Sequence, residues 1–233
     1  MIPIGDSTRR RTTPYVNVAL IVASVLVFVY ELSLNAFEVN DFFLDWGVIP
    51  VQLVDWLESP SVVEEPSTVV TSMFIHGGWL HLIGNMLFLW VFGDNVEDAM
   101  GHVRYLVFYL LAGLAATTLQ VFIDQEAAIP MIGASGAIAG VLGAYLVLYP
   151  RATVSVVIPL LWFFGAFPVP AAFLIVFWFL LQLLSGVAAL GTASSLTGGV
   201  AFWAHVGGFL AGLALVWVFR RRGPRRRPST VVW

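Results

Sequence analysis

Charged residues are scarce in this chain, and the places that lack them are informative. Only 11% of the 233 residues are charged and 59% are hydrophobic, whereas roughly a quarter of the residues in a soluble domain are charged. No Asp, Glu, Lys or Arg occurs in 105–123, 127–150 or 152–219. Because a helix needs about 20 apolar residues to cross a bilayer, these stretches exclude a soluble fold and predict a polytopic membrane protein.

Cysteine and lysine are both absent. The lack of cysteine excludes disulfides, thiolate metal sites and a cysteine nucleophile, so covalent catalysis would need another residue. All 11 basic residues other than histidine are arginine. This usage is typical of GC-rich prokaryotic genomes and predicts a prokaryotic plasma membrane, with a mitochondrial inner membrane as the alternative.

The arginines are segregated at the two ends of the chain. Arg9–Arg11 precede the first apolar run, and Arg220–Arg222 and Arg225–Arg227 follow the last one. Since basic residues favour the cytoplasmic side, we predict a cytoplasmic N-terminal segment at 1–14 and an Arg-rich cytoplasmic tail at 220–233. Such a tail could instead bind anionic headgroups or nucleic-acid phosphates. The topological interpretation is the more general one, and we expect no nucleic-acid partner.

Two cytoplasmic ends require an even number of spans, and six fit the apolar runs. Residues 152–167 are also apolar, but the run is short for a span and contains Pro159, so we interpret it as an interfacial cytoplasmic loop. The predicted fold class is an all-α membrane protein, with one six-helix domain over 15–219. The spans are predicted at 15–37, 79–97, 103–123, 133–149, 170–189 and 201–219.

The external loop predicted at 38–72 is acidic and contains no Lys or Arg. It also carries Phe42, Phe43, Trp46 and Trp56. Because Trp is favoured in the headgroup region, we expect part of this loop to lie at the membrane surface. Anchoring is a more general explanation of these aromatic residues than a dedicated substrate-binding role.

Three short polar signatures interrupt the apolar spans. His81 and Asn85 are four residues apart on span 2, Ser135 lies within Gly133-Ala134-Ser135-Gly136 on span 4, and His205 precedes Val206-Gly207-Gly208 on span 6. With the N-terminus inside, these three spans all run from the outer to the inner surface. Each signature is then near the outer end of its helix, so the topology predicts one common depth for all of them.

These residue types fit acyl-transfer chemistry. A serine hydroxyl is a weak nucleophile until a base takes its proton, and imidazole can do so near neutral pH, so Ser135 and His205 form a candidate pair. Asn85, His81 and the Ser135 backbone N–H are candidate oxyanion donors. We identify no acidic third member, so the sequence predicts a dyad. Taken alone, Ser135 is more commonly explained as an interhelical hydrogen-bonding group.

Other chemistries fit the spacing less well. The serine signature lacks the second glycine of a G-x-S-x-G elbow, and His76 with His81 does not make the H-E-x-x-H pattern of zinc proteases. We therefore predict no metal and no cofactor.

Small residues form stripes on two of the spans. Gly136, Gly140 and Gly143 recur on span 4, and Gly208 and Gly212 are four apart on span 6, on the face that carries the histidine. Because small residues let helix backbones approach in lipid, spans 4 and 6 are expected to pack closely.

In these signatures the chain resembles the rhomboid family of intramembrane serine proteases, over about residues 68–215. The resemblance implies that Ser135 is the nucleophile, His205 the general base, and His81 and Asn85 the oxyanion stabilisers. It also implies a rhomboid-like six-helix bundle.

Other positions of the family pattern have structural roles. His76 resembles a histidine that anchors a loop, and Glu97 with Gly101 resembles a Glu-x-x-x-Gly element that ties helix ends together. Two features depart from the pattern: the Trp-Arg pair of many first external loops is missing, and Ala139 stands where some members have a tyrosine that stacks on the histidine. The orientation of the histidine is thus left open.

The expected partners are the lipid bilayer and the transmembrane segments of other membrane proteins. We hypothesise that a substrate helix enters beside spans 2 and 5, unwinds near its outer end and is cut there. Phe88, Phe177, Trp178 and Phe179 are candidate gate residues, and lipid-facing packing explains each of them equally well.

Two other functions remain as alternatives. A catalytically silent rhomboid-like protein would bind and escort membrane helices, which the intact site residues argue against. A channel or transporter would be marked by intramembrane charges or paired broken helices, and we find neither. The sequence makes no prediction of oligomeric state.

Overall fold

The fold is a bundle of helices with a small sheet at one end. The computed structural model describes residues 2–59, 65–158, 165–190 and 200–221. Its helices are α1 (Tyr15–Glu31), α2 (Ala36–Trp46), α3 (Pro50–Glu58), α4 (Glu65–Thr71), α5 (Trp79–Phe88), α6 (Asp94–Met100), α7 (His102–Ile123), α8 (Ser135–Leu148), α9 (Ala171–Ala189) and α10 (Phe202–Phe219), and its strands are β1 (Ile2–Asp6), β2 (Thr153–Val157) and β3 (Ala166–Pro170).

Three described helices are long and apolar enough to cross a membrane. These are α7, α9 and α10, with 22, 19 and 18 residues, and they correspond to the predicted spans 3, 5 and 6. A fourth candidate is the pair Ser67–Phe74 and Trp79–Met100, which is bent by 96° at a short break. The helices α1 and α8 are apolar but shorter, with 17 and 14 residues. The protein is therefore an integral membrane protein with at least three candidate spans among the described residues.

Predicted span 2 is one helical rod with a π-helical turn inside it. Between α5 and α6 the chain forms a π-turn, Leu89–Gly93. Such turns disturb the regular backbone ladder, and here a side chain from α1 bonds to the backbone of the turn. Asn17 Nδ2–H donates to the Leu89 carbonyl at 3.0 Å, and the Tyr105 hydroxyl donates to Asn17 Oδ1 at 2.7 Å. This buried network joins α1, the π-turn and α7.

The predicted end of span 1 is wrong. The helix α1 ends at Glu31, and α2 begins at Ala36. Asn35 caps α2: its side chain accepts from the Glu38 backbone N–H, and the Glu38 carboxylate accepts from the Asn35 N–H. This capping box starts a new helix inside the apolar run. The predicted external loop 38–72 is thus largely helical where it is described.

The structure is mostly helical, but the prediction of helices alone is wrong, and so is the prediction of a loop at 152–167, because residues 153–157 form a strand and β3 begins at Ala166. The strands β1, β2 and β3 form an antiparallel sheet in that order. In β2, Val154 and Val156 are buried and alternate with half-exposed residues, which is the period of a strand. The prolines of β1 and β3 are tolerated because both are edge strands. The N-terminal segment is therefore part of the fold.

Glycines bring α8 and α10 into backbone contact at the centre of the bundle. A Cβ atom at Gly208 would overlap the carbonyl oxygen of Gly136, and one at Gly212 would overlap that of Gly140. The absence of side chains on both helices therefore sets their separation. This contact positions the start of α8 beside the first turn of α10.

We expect Gly212→Val to destabilise the bundle. The new side chain would meet the backbone of α8, and overpacking of this kind costs about 1–3 kcal/mol, which lowers the unfolding midpoint by several degrees. Gly84→Val on α5 is the matched control, because a Cβ there meets nothing within 4 Å. Thermal unfolding in detergent would measure both variants. Equal midpoints would contradict the close contact of α8 with α10.

Candidate active site

The serine and histidine signatures meet at the α8–α10 contact. Ser135 is the first residue of α8, and His205 lies in the first turn of α10. His205 Nε2 is 2.8 Å from Ser135 Oγ, a distance at which the hydroxyl can donate to the imidazole. Both residues are half-buried, so the pair is accessible to another molecule.

The turn before α8 brings Ser135 close to the span 2 signature. Gly133 has φ +118°, a conformation that favours glycine, and its N–H donates to the Ser72 carbonyl at 2.8 Å. A Cβ on Gly133 would collide with the His81 ring and would lie 3.6 Å from Asn85 Nδ2. The glycine therefore lets the chain pass directly against both of these side chains.

Asn85 carries an unused hydrogen-bond donor. Its Nδ2 is buried and has no partner among the described residues. Leaving such a donor unpaired costs free energy. A donor that is kept unpaired beside the turn before Ser135 therefore favours a role in the site. The N–H of Ser135 is also free of an intrahelical bond because it begins α8. Two donors are thus available next to the hydroxyl.

His76 lies in the loop before α5 and joins it to the end of α1. It is fully buried, its Nδ1–H donates to the Phe74 carbonyl at 3.1 Å, and its backbone N–H donates to Glu31 Oε1 at 3.1 Å. Its ring is 5.1 Å from that of His81. Glu31, in the outer half of predicted span 1, is an acidic residue that the sequence analysis overlooked. Its described hydrogen bond is to the His76 backbone and not to the imidazole of His205.

Two residues of α9 surround His205: Trp178, which the sequence predicted only as a gate residue, and Gln182, which it did not predict. Gln182 Oε1 is 2.7 Å from His205 Nδ1, and the Trp178 ring lies 5.7 Å from the imidazole at an interplanar angle of 43°. A signal was present in the sequence, because an amide within an apolar membrane helix needs a partner.

The four candidate gate residues have four different aromatic neighbours. Trp178 contacts the histidine ring, as above. The other described ring contacts are Phe88 with Phe92, Phe177 with Phe173, and Phe179 with Phe209. The predicted set is therefore divided between the site, the bundle interior and the exposed face of α9.

Glu97 and Gly101 lie at the opposite end of the bundle from the serine. Glu97 is fully buried and its carboxylate accepts from the N–H groups of Val16 at 3.1 Å and Asn17 at 2.7 Å, which caps α1. Gly101 turns the chain into α7 with φ +86°, and a Cβ there would collide with the Arg221 guanidinium. Glu97 and Gly101 thus bring together the start of α1, the start of α7 and the residues that follow α10.

A small cavity of about 40 Å³ lies beside the serine. Its lining residues include Ser72, Thr117, Gly133, Ser135 and Ala204. Its volume is enough for a water molecule, which needs roughly 10–15 Å³. Within the described ranges, no three His, Asp or Glu side chains are grouped as a metal site would require.

Comparison with known proteins decides the family. A family model described as the Rhomboid domain matches residues 63–222, which is more than half of the chain. The chain belongs to the rhomboid family. The predicted resemblance over 68–215 falls within this match and is confirmed.

Individual relatives extend the match to rhomboids of several organisms. Rhomboid protein 1, mitochondrial, of Saccharomyces cerevisiae is 28% identical over 69% of this chain and 44% of its own length. RHOMBOID-like protein 4 of Arabidopsis thaliana is 24% identical over 96% of this chain and 60% of its own length. Rhomboid protease GluP of Bacillus subtilis is 40% identical over 34% of this chain and 15% of its own length. This rhomboid thus spans less than two thirds of the length of each of these relatives.

Proposed function

We propose that this rhomboid is an intramembrane serine endopeptidase that cleaves transmembrane segments of other proteins. The observation that carries the proposal is the 2.8 Å separation between Ser135 Oγ and His205 Nε2. Family membership supports the same reaction class. An imidazole base next to a hydroxyl is the arrangement that activates serine as a nucleophile.

The reaction proceeds in two acyl-transfer steps. Ser135 Oγ attacks the scissile carbonyl carbon while its proton passes to His205 Nε2. The tetrahedral intermediate collapses, the C–N bond breaks, and the amine leaves with the proton from Nε2. Water then attacks the acyl-enzyme with His205 as base, which releases the acid and restores the hydroxyl.

The oxyanion of each intermediate would be held by Asn85, His81 and the Ser135 N–H. The buried, unpaired Nδ2 of Asn85 supports this role, because a preorganised donor needs no reorganisation when charge develops. The fit of Gly133 against both side chains supports it too.

We further propose the six-span topology, with both termini cytoplasmic and the protease domain at 15–219. The 14 residues of α8 extend about 21 Å at 1.5 Å per residue. The hydrocarbon core is about 30 Å thick. If α8 ends at the inner surface, Ser135 lies about 9 Å below the outer one, at a depth that the outer aqueous phase reaches through a short opening. The proposed tail at 220–233 falls mostly outside the described residues.

The second step needs water at a depth where lipid excludes it. The cavity beside Ser135 is lined by Ser72 and Thr117 among other residues, and a cavity with polar residues in its lining can hold a water molecule. We propose that it supplies the water that hydrolyses the acyl-enzyme.

The substrate segment would approach between α5 and α9. Phe88 on α5 and Phe177 on α9 are the gate candidates whose described ring contacts stay within their own helical rods. Phe179 stacks on Phe209 of α10, a contact that favours a packing role. Because carbonyls of a helix are already hydrogen-bonded and shielded, the substrate must unwind locally before it can be cut.

A prokaryotic plasma membrane stays a prediction that rests on arginine usage alone. The matched relatives include proteins named mitochondrial as well as one from Bacillus subtilis, so they do not favour either membrane. The alternative of a catalytically silent helix-binding protein has no use for an activated serine, and the Ser135–His205 contact favours the protease.

Cleavage of a reconstituted substrate tests the proposal. We expect a single-pass segment with Gly-Gly near its outer end to be cut about 10- to 30-fold faster than one with Ala-Ala there, because two glycines weaken a helix by about 2 kcal/mol. Mass spectrometry of liposome reactions would give the rates and the position of the cut. Binding of both segments without cleavage by the wild-type protein would favour the silent helix-binding protein instead.

A further inference from the structure

The imidazole of His205 is held on three sides by two helices. Ser135 Oγ lies at Nε2, Gln182 Oε1 lies 2.7 Å from Nδ1, and the Trp178 ring lies against the imidazole. Trp178 and Gln182 are four residues apart, so they share one face of α9. This face of α9 therefore contacts the histidine with both an aromatic ring and a hydrogen-bonding group.

We propose that Gln182 is a positioning residue that keeps His205 in the tautomer able to accept the proton of Ser135. A neutral imidazole carries its proton on one nitrogen and a lone pair on the other. The base must have its lone pair on Nε2, which places the proton on Nδ1. An amide oxygen can only accept, so Gln182 Oε1 selects the tautomer with the proton on Nδ1.

The amide suits its depth in the membrane. A carboxylate in this position would lose its hydration inside an apolar helix at a large cost in free energy. A neutral amide imposes the same tautomer without burying a charge. After proton transfer, the Nδ1–H of the imidazolium still has its acceptor, so no hydrogen bond is lost during the reaction.

The environment of His205 shows why a positioning group from α9 matters in this chain. Ala139, one turn after the serine on α8, is fully buried and has no ring to place against the imidazole. The described contacts of the ring come instead from Trp178 and Gln182 of α9. The inference rests on the proposed function, since a tautomer matters only if Nε2 takes a proton.

Substitutions of Gln182 test the effect on the rate. Gln182→Met keeps the length of the side chain and removes the acceptor, and methionine suits an apolar helix. We expect kcat to fall by up to about a hundredfold, as for a misplaced catalytic group, with KM nearly unchanged. Gln182→Glu keeps a carboxyl oxygen as acceptor at the same length, so it should recover most of the loss in kcat, although burying the carboxyl group should lower the unfolding midpoint. Gln125→Met, at an exposed turn after α7, is the matched control and should leave kcat unchanged.

A spectroscopic measurement separates positioning from general stability. In ¹⁵N-histidine-labelled protein carrying Ser135→Ala, we expect the His205 signals to show the proton on Nδ1. Adding Gln182→Met should shift the population toward the other tautomer. An unchanged tautomer ratio, or an unchanged kcat, would overturn the proposal. Because the tautomer is read without turnover, a wild-type protein that cuts nothing would refute the proposed function while this measurement still decided the role of Gln182.

Discussion

A Ser135→Ala variant should lose cleavage of transmembrane substrates by on the order of 10⁴-fold or more, because no other group replaces the nucleophile. A fluorescent fluorophosphonate, which reacts with activated serines, should label the wild-type protein and not this variant. His205→Ala should also abolish labelling. Since the two residues act as a unit, the double variant should be no slower than either single one.

Ser24→Ala is the matched control for this experiment. Ser24 is a buried serine within the apolar helix α1, so it undergoes the same chemical change away from the imidazole. Its variant should be labelled and should cleave at the wild-type rate. Equal labelling of wild type and Ser135→Ala would remove Ser135 from the mechanism, whatever the result for the control.

An Asn85→Ala variant should cleave about 10²- to 10³-fold more slowly, the usual effect of removing one oxyanion donor. The loss should appear in kcat with little change in KM, because the donor acts on charge that develops only in the transition state. Measuring initial rates over a range of substrate concentrations in liposomes would separate the two constants.

The same variant should not be less stable than the wild type. The buried Nδ2 of Asn85 has no partner among the described residues, so its removal relieves a desolvation cost instead of breaking a bond. Asn40→Ala, at an exposed position on α2, should change neither activity nor stability. A fall in the unfolding midpoint that matched the fall in rate would instead assign Asn85 a structural role.

Local sequence signals predict the bounds of some helices of this protein but not of all. The predicted bounds of spans 3, 5 and 6 were close to α7, α9 and α10, because long uncharged runs between polar ends have few alternatives in a bilayer. The end of span 1 was missed although Asn35 and Glu38 form a capping box that is visible in the sequence. Apolar residues lie on both sides of this capping box, so hydropathy alone does not show the break between the two helices.

The sheet could not be predicted in the same way. Strand β1 pairs with β2 although about 150 residues separate them in the chain, and a five-residue strand shows its period of two only weakly. The partner of each strand depends on how the helices between them are arranged. Long-range pairing of this kind is a property of the assembled bundle.

By itself, the sequence determined that this protein lies in the membrane, which family it resembles, and that Ser135, His205, His81 and Asn85 are its candidate site residues. Short motifs and charge placement carry that information locally. Only the tertiary structure decided that Gln182 and Trp178 face the imidazole. The amide of Gln182 signals that it needs a partner, but in a helix that is otherwise apolar it does not identify that partner, because the imidazole is brought to it only by the packing of α9 against α10.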